Sequence, residues 1–201
     1  MPFISNGTTI LDNGAFSVGL GSQILISEAT ASGSSSIEFT SGIDSTYDIY
    51  QFELINIHGS INTSDLTFNL SSDGGSNYNV TKTTTVFRSF NYEDNSLALL
   101  QYYAANDLAQ GTGYQTVSDA VGTGNDENLC ATMQLFNPSS TTFVKHFIGR
   151  YQHTLRDSLA SDEFYVAGYG NTTSAINAIS FKFDSGNIDA GTIKMYGIKG
   201  S

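Results

Sequence analysis

The sequence predicts an all-β chain built of antiparallel strands packed as a sandwich or barrel, with one short helix and an extended N-terminal arm. Three observations carry this expectation. Apolar and polar residues alternate with a period of two in run after run. Clusters of Gly, Asp, Asn and Ser separate the runs. The 201 residues hold 13 Phe and 11 Tyr but only 13% charged residues, the composition of pleated, half-buried surface and not of a helical bundle.

Residues 1–33 form the arm. They hold Gly7, Gly14, Gly19, Gly21 and Gly33 between small apolar islands at Ile10-Leu11 and Ile24 to Ile26, too polar to make a core element alone. An extended arm of this kind adds a strand to its own sheet or to a neighbour's. The domain proper is expected over 34–201. Its first strands are carried by Ile37 and Phe39, then by Tyr50, Phe52 and Leu54, then by Leu66, Phe68 and Leu70. Side chains of a strand point to opposite faces in turn, so each run reads as a half-buried strand.

The turn SSDGGSNY at 71–78 supplies the positive φ that a tight connection needs, and a Thr- and Val-rich strand follows at 78–88. Residues 96–105, SLALLQYYAA, break the alternation. Leu, Ala and Gln are good helix formers, Asp94 or Asn95 can cap them, and Leu99, Leu100 and Tyr103 fit one helical face, so a short helix or an irregular crossover is expected here. A long polar loop spans 106–127. Further strands are expected at 128–136, along Phe143, Phe147 and Tyr151, at 163–169, along Ile179, Phe181 and Phe183, and at Ile193 and Met195.

Charge and chemistry exclude several functions. Eight Lys plus Arg against 19 Asp plus Glu give a net charge of −11, which excludes ordinary phosphate-neutralising nucleic-acid binding. There is no run of about 18 apolar residues, so no membrane partner is expected. Residues 1–30 lack a basic start and an apolar stretch, so a soluble chain not exported by the ordinary route is expected. There is no G-x-S-x-G, no P-loop and no H-E-x-x-H, and a dinucleotide site needs a strand–helix–strand unit that this pattern does not offer. No enzyme activity and no cofactor are expected.

Isolated candidates read as structure. His146 and His153 are odd-spaced on one strand and face opposite sides, which argues against a shared metal; they and His58 are expected at the surface or an edge. Cys130 has only Asp126, Glu127 and Asn128 nearby and no base to activate it, so it is expected as a small buried apolar residue. DSGNID at 184–189 and DGGSN at 73–77 hold oxygen ligands suited to calcium, but turn chemistry explains Asp, Asn and Gly there and neither has the EF-hand spacing; no metal site is expected.

Three segments carry a resemblance. SIEFTSGIDSTYDIYQFELINI at 36–57, LTFNLSSDGGSNY at 66–78 and AISFKFDSGNIDAGTIKMYGIKG at 178–200 resemble small virion structural proteins of tailed phages, marine and cyanobacterial ones especially. They cover about 58 residues and bracket most of the domain; the stretch 88–165 carries no such likeness. The resemblance implies a jelly-roll-like β-sandwich on the outer surface of a particle: a capsid decoration or cement protein of the head, or a tail fibre or knob, with no catalytic residue to carry over. The implied partners are copies of the chain in a homo-oligomer, a trimer by expectation, and the major capsid protein or tail proteins.

The residues agree with a contact role. A surface rich in Ser, Thr and Asn has few long side chains to immobilise, and rigid aromatic rings supply contact area. The expected contact residues are Phe3, Ile10, Phe16 and Ile24 in the arm and Leu108 and Tyr114 in the 106–127 loop. The alternative is a glycan-binding, receptor-recognising module in which Tyr102, Tyr103, Tyr114 and Tyr169 stack on sugar rings; the absence of Trp counts against it.

Overall fold

A computed structural model describes residues 3–5, 8–12, 15–16 and 23–198. Two antiparallel sheets pack as a sandwich, and the hydrophobic core lies between them. The larger sheet has eight strands in the order β4-β15-β6-β11-β12-β13-β8-β9. These are β4 (Gln23–Thr30), β6 (Ile49–Gly59), β8 (Lys82–Tyr92), β9 (Ala98–Tyr102), β11 (Leu129–Phe136), β12 (Lys145–Thr154), β13 (Ala160–Gly170) and β15 (Ile188–Ile198). The smaller sheet has four in the order β10-β7-β14-β5: β5 (Ile37–Phe39), β7 (Leu66–Ser71), β10 (Gln115–Thr116) and β14 (Ala178–Phe183). The N-terminal strands β1 (Phe3–Ser5), β2 (Thr8–Asp12) and β3 (Ala15–Phe16) form a three-stranded antiparallel meander of their own.

Alternation sets which residues enter the core. On β12 the odd residues Phe147, Gly149, Tyr151 and His153 are buried, and the even residues His146, Ile148, Arg150 and Gln152 are exposed. From the small sheet, Phe68 and Phe181 meet the large sheet: Phe68 stands edge-on to Phe147 with ring centroids 5.2 Å apart, and Phe52 lies 5.7 Å from Phe181 and 5.8 Å from Phe39. Such aromatic pairs add to the burial of apolar area that dominates folding.

Each strand of the small sheet is preceded and followed in sequence by a strand of the large one, so the chain shuttles between layers. Within the large sheet, β15 bulges against its neighbour β6. Gly191 has φ +112, and a Cβ there would lie 2.5 Å from the Asn56 carbonyl oxygen, so only glycine fits.

Two expectations are corrected. Residues 98–102 form strand β9, paired with β8, and not a helix; a single 3₁₀ turn follows at Ala104–Asn106. Helix propensity there loses to pairing with β8, where Tyr102 stands edge-on to Phe87. The Thr-rich strand is β8, displaced four residues toward the C-terminus of its expected range. Residues 23–30 of the arm are an edge strand of the chain's own large sheet, paired with β15, which is one of the two placements expected for the arm.

Candidate functional site

The two outer faces of the sandwich differ. The small sheet is partly roofed. Asn69 Nδ2 donates to the carbonyls of Tyr78 (2.6 Å) and Thr112 (3.0 Å), Tyr114 Oη donates to Ser180 Oγ (3.2 Å), and Tyr78 Oη donates to Glu38 Oε2 (3.1 Å). The outer face of the large sheet carries side chains that point straight into solvent.

Register aligns those side chains in rows. One row crosses all eight strands: Glu28, Lys194, Glu53, Thr132, Arg150, Tyr165, Phe87 and Tyr102. Its charges alternate in sign and cancel within a chain of net charge −11. Lys194 Nζ lies 3.1 Å from Glu28 Oε2, and Arg150 Nε pairs with Glu163 beside the row while its guanidinium lies 5.4 Å from the Tyr165 ring. The Arg150 hydrogen bond holds the Glu163 carboxyl below the usual range. The far end of the row is apolar, with Phe87 and Tyr102 about half exposed, and Leu100 and Ile148 stand in neighbouring rows at 71% and 57% exposure. Exposed apolar side chains grouped on one face mark an interaction surface.

Two shallow depressions open on this face. One, of about 480 Å³, is lined by Glu53, Ile55, Cys130, Thr132, Arg150, Gln152 and Glu163. The other, of about 400 Å³, is lined by Thr83, Thr85, His146, Ile148, Ala167 and Tyr169. The first offers two carboxylates, a guanidinium and an amide; the second is mostly apolar.

Of the six residues expected to make contacts, three have described side chains, and these lie off the outer row of the large sheet. The side chains of Phe3, Ile10 and Phe16 lie outside the described residues. Ile24 is half-buried on β4 beside Gly197 of β15. Leu108 is half-buried, and its backbone N–H donates to Thr84 Oγ1 (2.8 Å) while its carbonyl accepts from the Thr84 N–H (2.9 Å). Tyr114 covers the small sheet, with Lys182 Nζ 4.3 Å from its ring centre. Loop 106–127 thus serves largely to close its own fold. Tyr102 and Tyr169 lie on strands, and Tyr103 packs edge-on to Phe164 at 5.8 Å, so the four tyrosines do not share a loop. The surface residues on β8, β9, β12 and β13 could have been found from the polar-position members of each alternating run: Ile148, Tyr165 and Phe87 are apolar where the pattern calls for polar.

Two single-residue expectations are corrected. Cys130 is exposed, because β11 buries Leu129, Met133 and Leu135 and turns Cys130 outward; its Sγ accepts from the Asn56 N–H at 3.4 Å. His153 is fully buried and not at the surface, because it shares the inward face of Tyr151. Its Nε2 donates to the Asp119 carbonyl at 2.7 Å, and burial lowers its pKa.

His58 stands at the end of β6 over a depression of about 300 Å³ with Asn56, Asn125, Asn128 and Asp189. Nδ1 lies 2.7 Å from Asp189 Oδ1 and Nε2 lies 3.1 Å from the Gly124 carbonyl oxygen. Burial opposes the protonated ring, but the two acceptors outweigh it and raise the pKa above 6.5. Both nitrogens therefore donate when protonated, and neither is free to act as a base. Among the described residues no three His, Cys, Asp or Glu side chains converge as metal ligands. At 73–77, Asp73 accepts from Asn77 and Ser71, and these bonds hold its pKa at about 2, which is turn chemistry.

No helix among the described residues is long and apolar enough to cross a membrane. No protein-family model matches the chain, and no curated protein matches it significantly.

Proposed function

We propose that this chain is a non-enzymatic structural protein of a tailed-phage virion, a decoration or cement protein on the outer surface of the head that works as a homo-oligomer seated on the major capsid protein. The observation that carries the reading is the bare outer face of the eight-stranded sheet, where Ile148, Tyr165, Phe87 and Tyr102 stand in solvent beside a charge-balanced row. Surface of this kind gains by being covered. The three segments at 36–57, 66–78 and 178–200 that resemble virion proteins supply the particle. The net charge of −11 favours a protein that does not adhere to the packaged nucleic acid.

A second reading, a tail fibre, knob or receptor-recognition module that binds glycans, draws on the depression beside Arg150 and Glu163. Its charged and amide groups suit sugar hydroxyls, and Tyr165 adjoins it.

Immunogold electron microscopy of particles from the source culture, using antibody raised against the purified chain, tests both. Gold on heads is expected. Gold confined to tails selects the second reading, and particles without gold overturn both.

A further inference from the structure

Sheet edges differ in how they are protected. Edge strands expose unpaired N–H and C=O groups, and proteins blunt them with short length, charge, proline or a bulge. In the small sheet, β5 has three residues and β10 two. In the large sheet, β4 carries Glu28 and a break in register against β15 between Met195 and Tyr196. Strand β9 has none of these devices. Its register with β8 is unbroken from Asn91↔Ala98 to Phe87↔Tyr102, and no residue from Asn95 to Asn106 is charged.

The hydrogen-bond phase of β9 is fixed at both ends. The Tyr92 N–H donates to the Leu97 carbonyl at 2.9 Å, and the Tyr103 N–H to the Val86 carbonyl at 2.8 Å. Since bonded and non-bonded pairs alternate in an antiparallel ladder, Leu97, Leu99, Gln101 and Tyr103 face β8. Ala98, Leu100 and Tyr102 direct their N–H and C=O groups away from it, along the open edge.

We propose that β9 pairs edge to edge with β9 of a second copy, about a two-fold axis at Leu100. The spacing is self-complementary. With Leu100 opposite Leu100, Ala98 meets Tyr102 and Tyr102 meets Ala98, so every outward-facing group of the strand finds a partner. The occupant is a second copy because the contact is uncharged in a chain of net charge −11, where approach of like copies over acidic surface is opposed. Glu93 and Asp94 lie beyond the paired stretch, and the Asp107 carboxylate at its end accepts from the Tyr102 hydroxyl. The pairing also joins the Leu100, Tyr102 and Phe87 side chains of the two outer faces across the axis. This contact builds a dimer; a trimer would need another surface. It does not rest on the virion reading.

Light scattering of the full chain tests it. A mass of about 43 kDa is expected, twice the 21.5 kDa of one chain. Leu100→Pro removes an N–H that β8 does not use, so the sheet is kept while the edge is blocked, and the mass falls to that of one chain. Leu100→Lys, which places two like charges at the axis, has the same result. In the wild-type dimer the amides of Ala98, Leu100 and Tyr102 exchange slowly, and on dilution they exchange freely. A wild-type chain that is monomeric at every soluble concentration overturns the proposal, as does an oligomer that both folded variants leave intact.

Discussion

Arg88 on β8 grips the fully buried carboxylate of Asp162 on β13: its Nε lies 2.9 Å and its Nη2 2.6 Å from the same oxygen, Oδ2. Its Nη1 reaches Asp119 Oδ2 at 2.7 Å, and three rings, Phe90, Tyr103 and Phe164, lie within 5.7 Å of the guanidinium carbon. One side chain thus holds two strands together and ties the 116–121 segment to them. Replacing it strands a buried anion. Arg88→Met is expected to cost about 3–5 kcal/mol, measured by urea unfolding; a loss under 1 kcal/mol, the value of a surface pair, would refute the assignment.

Asp65 makes stability depend on pH from the acid side. Burial, with Asp119 and Asp184 nearby, raises its pKa from 3.8 to about 6, while its Oδ1 accepts from the Ala120 N–H at 2.7 Å. The folded state therefore keeps a proton that the unfolded chain has already released. This group's contribution is present below 3.8 and is lost as pH rises to about 6. Asp65→Asn keeps the acceptor and removes the loss. The variant is expected to gain about 1–2 kcal/mol at neutral pH and nothing well below 3.8; thermal melts at the two pH values check this.

His58 acts in the same sense, over a higher pH window. Its folded pKa lies above 6.5, so its stabilising contribution is complete below 6.5 and fades as pH climbs through the raised value. Asp189→Asn removes the carboxylate at Nδ1. Titration of the ring by NMR is expected to give a pKa above 6.5 in the wild-type chain and a lower one in the variant.

The centre of the sandwich gives a conventional measure of packing. Phe52 is fully buried between Phe39 and Phe181. Phe52→Ala is expected to cost about 3–5 kcal/mol with an unchanged denaturant slope.

Period-two alternation made the layers legible in the sequence. Phe52, Phe68, Phe147, Phe181 and Met195 all lie in the core their runs predict. Turn chemistry was equally legible: Asp44 Oδ1 accepts from the Thr46 N–H at 2.7 Å, and Asp73 closes its Gly-Gly turn. The Leu- and Ala-rich segment at 98–102 was not legible, because its local preference is helical and only a partner strand makes it β. Cys130 and His153 were misplaced because composition suggested their environment when strand phase decides it. The interaction face was hidden for a different reason. An apolar residue at an outward position looks like noise in one run and becomes a patch only when register brings Ile148, Tyr165 and Phe87 side by side.

The shuttling of the chain between layers has a consequence for biosynthesis. Among the described residues, β14 is the only strand paired with β5, and it is one of the two neighbours of β7 in the small sheet. Until Ala178–Phe183 leaves the ribosome, Leu66, Phe68 and Leu70 have no layer to complete, although the β11–β12–β13 meander can already form. Nascent chains shorter than this are expected to engage chaperones through those residues, and final assembly falls in the slow regime of folds dominated by distant strand pairing.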